Sequence, residues 1–457
     1  MKQAVQKQKL DMLNGPLWNK IPQFALPVAA TAILEQLFNA SDIAVVGNFS
    51  GAASTIAVAA VGANSFVISL VVNFFIGIAL GANVVIANAI GREDTDAVHR
   101  AVHTAVVVAV LGGALVTVLG ELVAGPALRA LNVPAEVLPY ALLYLRIYLL
   151  GVPVILLYNF EAAIFRSVGD TRVPLQTLAF SGVLNVLLNL FFVIVLHMTV
   201  NGVATATVLS NAISSVLLFV RLRRSDKAIH LEWTALRIDR RSLQKILQIG
   251  IPAGIQSAVF SISNIVIQSA INSLGTVVMA ASSAAFNIEV VAYDVLNSFS
   301  QACTTFVGQN YGAGKLDRCR KTLVLCLVED ALASGIAILL VLGSGHFLLS
   351  LFNRDPEVIA LGYTRLMTVF TAYFFSMLYE VMSGYLRGFG ISLVPALLTM
   401  LGVCGVRILW IATAFPRSRT FQTILLAYPL SLAATAVLIL LALLIYHPSR
   451  KTKGEVI

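Results

Sequence analysis

The chain has 457 residues, of which 58% are hydrophobic and 12% charged, with a formal net charge of +9. Soluble domains carry about a quarter charged residues, so this composition, with a mean hydropathy of +0.88, places the chain in a bilayer and excludes a soluble catalytic domain. The positive balance then belongs to the loops between spanning helices and calls for no nucleic-acid partner.

A basic, polar arm (residues 1–20, with Lys2, Lys7, Lys9 and Lys20) precedes the first apolar stretch, which is too long for a signal-peptide core. Apolar runs bounded by charge and turn residues predict helices near 21–47, 54–90, 98–123, 137–165, 173–197 and 200–222. A second six follow near 245–273, 276–311, 321–343, 357–386, 392–415 and 421–446, with a tail at 447–457. The second helix is long for one straight span, and Gly77 and Gly81 are where it is expected to bend.

Between the two sets lies one long polar stretch, read as a basic linker at 223–244 that joins lobes at 21–222 and 245–446. With both termini and that linker on one side, 24 Lys and Arg fall there. Four fall on the other side (Arg129, Arg354, Arg417, Arg419) and three within spans (Arg146, Arg365, Arg407). This asymmetry makes that side cytoplasmic.

The halves repeat. Gly91 and Gly312 lie 221 residues apart, and the same offset pairs Asp96 with Asp317, Asn132 with Asn353, Tyr158 with Tyr379, Arg166 with Arg387, Gly169 with Gly390 and Pro174 with Pro395. Six helices per repeat is an even number, so equivalent helices run the same way and the pseudo-twofold axis lies along the membrane normal, a plan used by secondary transporters. The fold class is an all-α membrane protein of twelve transmembrane helices in two parallel six-helix bundles.

Several short patterns have bland readings. Cys303, Cys319, Cys326 and Cys404 sit in apolar or helix-flanking sequence and read as packing residues. Gly308 to Gly314 spaces the glycines one residue too far for a phosphate loop, and Leu316 stands where Ser or Thr is needed. His99 and His103 mimic a metal pair without an apparent third ligand. No cofactor is expected, and energy would come from an ion gradient.

Ionisable groups within spans are costly and each asks for a reason. The acids are Glu35, Asp42, Glu289, Asp294, Glu329, Asp330 and Glu380. Glu35, Asn39 and Asp42 recur at helical spacing on the first helix and offer two carboxylates and an amide on one face. Glu289, Asp294 and Glu380, with Tyr158 and Tyr379, are candidates for a substrate cavity in which acids and ring faces hold cations, or are simply packing. Glu329 and Asp330 are expected to pair with Arg407, Arg365 or Arg146.

The segments FVGQNYGAGK (Phe306 to Lys315), RSVGDTRVP (Arg166 to Pro174), LRGFGISLVP (Leu386 to Pro395) and SDIAVVG (Ser41 to Gly47) resemble those of the multidrug and toxic compound extrusion (MATE) transporters. The resemblance runs from about Ile21 to Tyr446. It implies a V-shaped exporter that exchanges a proton or sodium ion for a drug-like, often cationic, compound. It places Asp42 at the family's helix 1 acid, with Asn185, Asn189 and Thr207 in the surrounding polar cluster.

Position 189 is Asn where many relatives have Asp, which leaves fewer carboxylates for sodium and favours H+ over Na+ as the coupling ion. Paired asparagines also read as interhelical glue. At offset 221, Asn185 and Asn189 meet Val406 and Trp410, and at the offset of 225 set by Pro27 and Pro252, Asp42 meets Ile267. The second lobe therefore lacks the cluster. The expected partners are drug-like small molecules and membrane lipids, for a monomer in the cell membrane. The alternatives are a flippase for a lipid-linked precursor, whose anionic cargo would suit Arg146 and Arg407, and a receptor or enzyme without transport.

Overall fold

A computed structural model describes residues 10–131, 133–225 and 228–449, without the side chain of Ala52. Residues 1–9 of the arm, most of the tail, Asn132 and the linker residues Asp226 and Lys227 lie outside the described residues.

Among the described residues, twelve helices are long and apolar enough to cross a membrane. They are α1 (Lys20–Phe49), α2 (Ser54–Gly91), α3 (Thr95–Ala130), α4 (Leu138–Ser167), α5 (Arg172–Val195) and α6 (Val200–Arg223), then α7 (Arg240–Asn272), α8 (Thr276–Gly312), α9 (Leu316–Ser350), α10 (Pro356–Gly388), α11 (Leu393–Thr413) and α12 (Phe421–Tyr446). The protein is thus an all-helical, multi-pass membrane protein, and in each hydrocarbon span helical backbone satisfies its own polar groups.

Local chemistry sets the helix ends. Asp94 Oδ1 accepts from the Ala97 backbone N–H at 2.9 Å to start α3, and Asp355 Oδ1 accepts from Glu357 N–H at 2.9 Å to start α10. Before α7, the Ser242 backbone N–H and hydroxyl both donate to Asp239 at 2.8 Å and hold its carboxyl below the usual range. After α4 and α10 the chain turns at Gly169 (φ 81°) and Gly390 (φ 84°), a repeat-related pair in the left-handed region where a side chain would be strained.

The chain divides into two compact units. Of the described residues, the first comprises Ala30–Gly250, the second Leu10–Ala29 and residues 251–449. The boundaries fall inside α1 and α7, close to Pro27 and Pro252. Each proline removes one rung of its helix ladder, so both helices pass from one unit to the other beside a weakened backbone position.

Packing within the units follows the repeat. In the first unit α4 lies against α2, α3 and α6; in the second α10 lies against α8, α9 and α12. The linker segment after Lys227 belongs to the first unit. Ile229 and Leu231 are fully buried, Glu232 N–H donates to His103 Nε2 at 3.0 Å, and Asp239 N–H donates to Thr104 Oγ1 at 3.0 Å. His103 therefore anchors the linker.

In the second unit, the end of the arm is held by side chains of α8 and α9. Asn310 donates to the Met12 carbonyl at 3.2 Å, Lys315 to the Leu13 carbonyl at 2.9 Å and Arg318 to the Gly15 carbonyl at 2.8 Å. All four cysteines are buried and free.

Gly77 and Gly81 lie within the continuous helix α2, and Gly81 serves close packing. A Cβ there would lie 2.3 Å from the Ile246 carbonyl oxygen and 2.8 Å from Gly250 N, both backbone atoms of α7. Gly81→Ala is therefore expected to cost about 1–3 kcal/mol. Gly335→Ala, in α9 with open space around it, should hold or raise stability through helix propensity. Thermal unfolding of the purified protein in detergent checks the pair: the midpoint falls for the first and does not for the second.

Candidate functional site

The first unit gathers the polar residues of α1, α5 and α6 around one carboxylate. Asp42 is 5% exposed. Asn189 Nδ2 donates to its Oδ1 at 2.5 Å and Thr207 Oγ1 donates to its Oδ2 at 2.9 Å. Asn189 also donates to Asn185 Oδ1 at 3.2 Å, while its own Oδ1 is buried without a hydrogen-bond partner.

Close approach of α1 and α5 makes this reach possible. A Cβ on Gly182 would overlap the Phe38 ring, which occupies the space beside the bare backbone. Just beyond Asn189, α5 ends in a π-helical turn at Phe191–Val195, the kind of irregularity that recurs at functional positions in helices.

Glu35, two turns before Asp42, is half-buried. The Tyr148 hydroxyl of α4 lies within electrostatic reach of both carboxylates, and Tyr144 within reach of Asp42. Tyr158 is 3% exposed and lies among Glu35, Arg166 and Glu161. Asn39 is exposed and makes no hydrogen bond among the described residues, which corrects the expectation that it shares the face of Asp42. Three residues turn a helix about 60° short of a full turn, enough to carry Asn39 onto the open flank.

Glu161 was not among the acids singled out from the sequence. It is fully buried on α4 and accepts from Ser215 Oγ at 3.0 Å. Its signal was a single acid between Phe160 and Ala162, five residues before the Arg166 motif.

In the second unit the acids part company. Glu289 forms a two-pronged ion pair with Arg365, Nε to Oε1 at 2.7 Å and Nη2 to Oε2 at 2.9 Å, with both side chains almost fully buried. Ser282 and Tyr428 complete the guanidinium's contacts. This pairing takes Glu289 out of the open acids expected to line a cavity, because its charge is already met.

Glu380 is buried and accepts from the Tyr293 hydroxyl at 3.0 Å. Tyr379 beside it feels both Glu380 and Arg407. Asp294 is half-buried.

The ion pairs expected for Glu329 and Asp330 do not form. Arg146 lies 3.4 Å from Glu121, and Arg365 is committed to Glu289. Asp330 instead accepts from Ser334 Oγ at 2.6 Å, one turn further along α9. No group of three or more His, Cys, Asp or Glu residues with metal-site geometry occurs among the described residues.

The sequence model of a protein family described as MatE matches residues 27–191 and 252–412. The chain is 26% identical over 401 residues to the probable multidrug resistance protein YoeA of Bacillus subtilis, covering 86% of each chain. It is 23% identical to a protein named FAD transporter of Shewanella oneidensis, over 77% of this chain and 78% of that one. A solved outward-facing multidrug resistance MATE family transporter of the MOP superfamily superposes with a TM-score of 0.89 at 19% identity, over 98% of this chain and 99% of that one.

The buried Glu289–Arg365 pair generates a prediction. Glu289→Gln leaves a guanidinium unmatched and should destabilise the protein by about 3–5 kcal/mol. The double variant Glu289→Gln, Arg365→Gln should lose less than the sum of the two single changes. Unfolding free energies of the four proteins in detergent measure this coupling.

Proposed function

The chain belongs to the MatE family of membrane transporters, and from that premise we propose that it is a secondary multidrug efflux antiporter with Asp42 as its coupling acid. It exports drug-like, often cationic, compounds in exchange for a proton by alternating access, as a monomer among lipids of the cell membrane, with both termini cytoplasmic.

The observation that carries this reading is the bonding of Asp42. Both its oxygens accept hydrogen bonds from other helices, and no cationic side chain pairs with it among the described residues. A buried carboxylate without a cationic partner binds either a proton or an arriving cation, and the two compete for the same oxygens. Proton is favoured over sodium because the cluster offers one carboxylate, whereas hard cations take several oxygen ligands with carboxylates among them. Helix-to-helix bonding of this kind ties proton occupancy to the packing of α1 against α5 and α6.

One proton is sufficient on energetic grounds: exchanging it for one monovalent cation moves no net charge, so the pH difference drives the step, and each pH unit, worth about 1.4 kcal/mol, supports a tenfold drug gradient. The second reading, a flippase for a lipid-linked precursor, calls for an arginine-rich cavity. Arg146 and Arg365 have carboxylate neighbours and Arg387 donates to Gln256, so Arg407 stands as a single guanidinium where a diphosphate calls for several.

Efflux of ethidium from proteoliposomes without ATP tests the proposal, under an imposed pH gradient and then a sodium gradient. Flux is expected to follow the pH gradient and to vanish in Asp42→Asn. Flux driven by sodium alone, or retained in the variant, would contradict it, and wild-type indifference to both gradients would favour lipid flipping.

A further inference from the structure

One buried arginine of the carboxy-terminal unit, Arg407, has no counter-ion among the described residues. Arg407 on α11 is 3% exposed. Its Nε donates to Ser431 Oγ of α12 at 3.0 Å and its Nη1 to Asn264 Oδ1 of α7 at 3.4 Å. Both partners are neutral, and no carboxylate pairs with Arg407 among the described residues. Nη2 makes no hydrogen bond there.

Aromatic rings hold the guanidinium on two sides. Its carbon lies 5.4 Å from the Phe260 ring centre and 4.6 Å from that of Tyr428. Arg365 lies against the same Tyr428 ring at 5.3 Å, but its charge is matched by Glu289. A guanidinium cannot shed its proton in a protein, so Arg407 remains charged. Ring faces and two neutral acceptors offset part of the cost of that charge. What is left is an oriented planar fork with free donors, the chemistry that recognises carboxylates, sulfonates and phosphates.

The internal repeat sharpens the point. Helices α7, α11 and α12 are the counterparts of α1, α5 and α6, and at the repeat offsets Asn264 corresponds to Asn39, Arg407 to Val186 and Tyr428 to Thr207. A π-helical turn, Met400–Gly405, ends just before Arg407, as one follows Asn189 in α5. The repeat-related three-helix clusters thus hold a carboxylate in one unit and a guanidinium in the other, at different positions: Asp42 corresponds to Ile267 and Arg407 to Val186.

We propose that Arg407, oriented by Asn264 and Ser431 and braced by Phe260 and Tyr428, binds the anionic group of a ligand: a carboxylate, sulfonate or phosphate. This site is separate from Asp42 and does not depend on the coupling reading, so its test is binding and not flux.

The full-length protein in phosphatidylcholine nanodiscs is dialysed to equilibrium against radiolabelled phenylphosphonate, benzoate or benzyltrimethylammonium, with empty nanodiscs as the blank. Saturable binding of both anions is expected, weakened at least about tenfold in Arg407→Gln, with part of the affinity retained in Arg407→Lys. Asn264→Asp places a carboxylate beside the guanidinium and should abolish anion binding in a folded protein.

Competition by phosphatidylglycerol in the disc would identify a lipid headgroup as the source of the anion, and no competition would identify a free solute. Absence of saturable anion binding in the wild type, or undiminished binding in Asn264→Asp, would overturn the proposal.

Discussion

An ionised side chain inside a bilayer persists when another group of the protein meets it, and this constraint organises the polar interior of both units. Asp42 is met by neutral donors from α5 and α6, Glu289 by the guanidinium of Arg365, and Arg407 by two aromatic faces and two neutral oxygens. These answers differ in consequence. A carboxylate met by a cation is closed to exchange, since breaking the pair strands a buried charge. A carboxylate met by an amide and a hydroxyl can change its occupant at lower cost, and that difference is why Asp42, and not Glu289, is the proposed coupling group.

The surrounding architecture serves this arrangement. Bare backbone at Gly182 brings α5 up to Phe38 of α1, and the Gly81 and Gly250 contact brings α2 against the start of α7. The repeat-related helices α5 and α11 each contain a π-helical turn near their polar residues, Asn189 and Arg407. The two units share a packing plan through the repeat, while the polar residues of α1, α5 and α6 differ from those of α7, α11 and α12.

Much of this was legible in the sequence. Twelve apolar runs, the glycines after α4 and α10 and the offset of 221 residues gave the helices and their repeat, because composition and turn chemistry are local signals. The Asp42 cluster was legible through the family resemblance, which supplied the positions of Asn185, Asn189 and Thr207.

Contacts between distant residues were not legible. Glu289 and Arg365 lie 76 residues apart, and their meeting depends on the rotation of α8 against α10, which no spacing rule encodes. Asn39 failed for a related reason: helical spacing places it within a broad stripe, and only packing decides which edge of that stripe is buried. The role of His103 as an anchor for the linker likewise rests on a backbone N–H from Glu232, a partner invisible to any side-chain pattern.

The central claim is that one carboxylate, Asp42, exchanges a proton for a cationic compound. Proton release on binding tests it most directly: tetraphenylphosphonium is added to weakly buffered purified protein containing a pH-indicator dye, for wild type and Asp42→Asn. Competition for a single group predicts about one proton released per cation bound in the wild type and none in the variant. Equal release from both proteins, or binding to the wild type with no release at all, would contradict it.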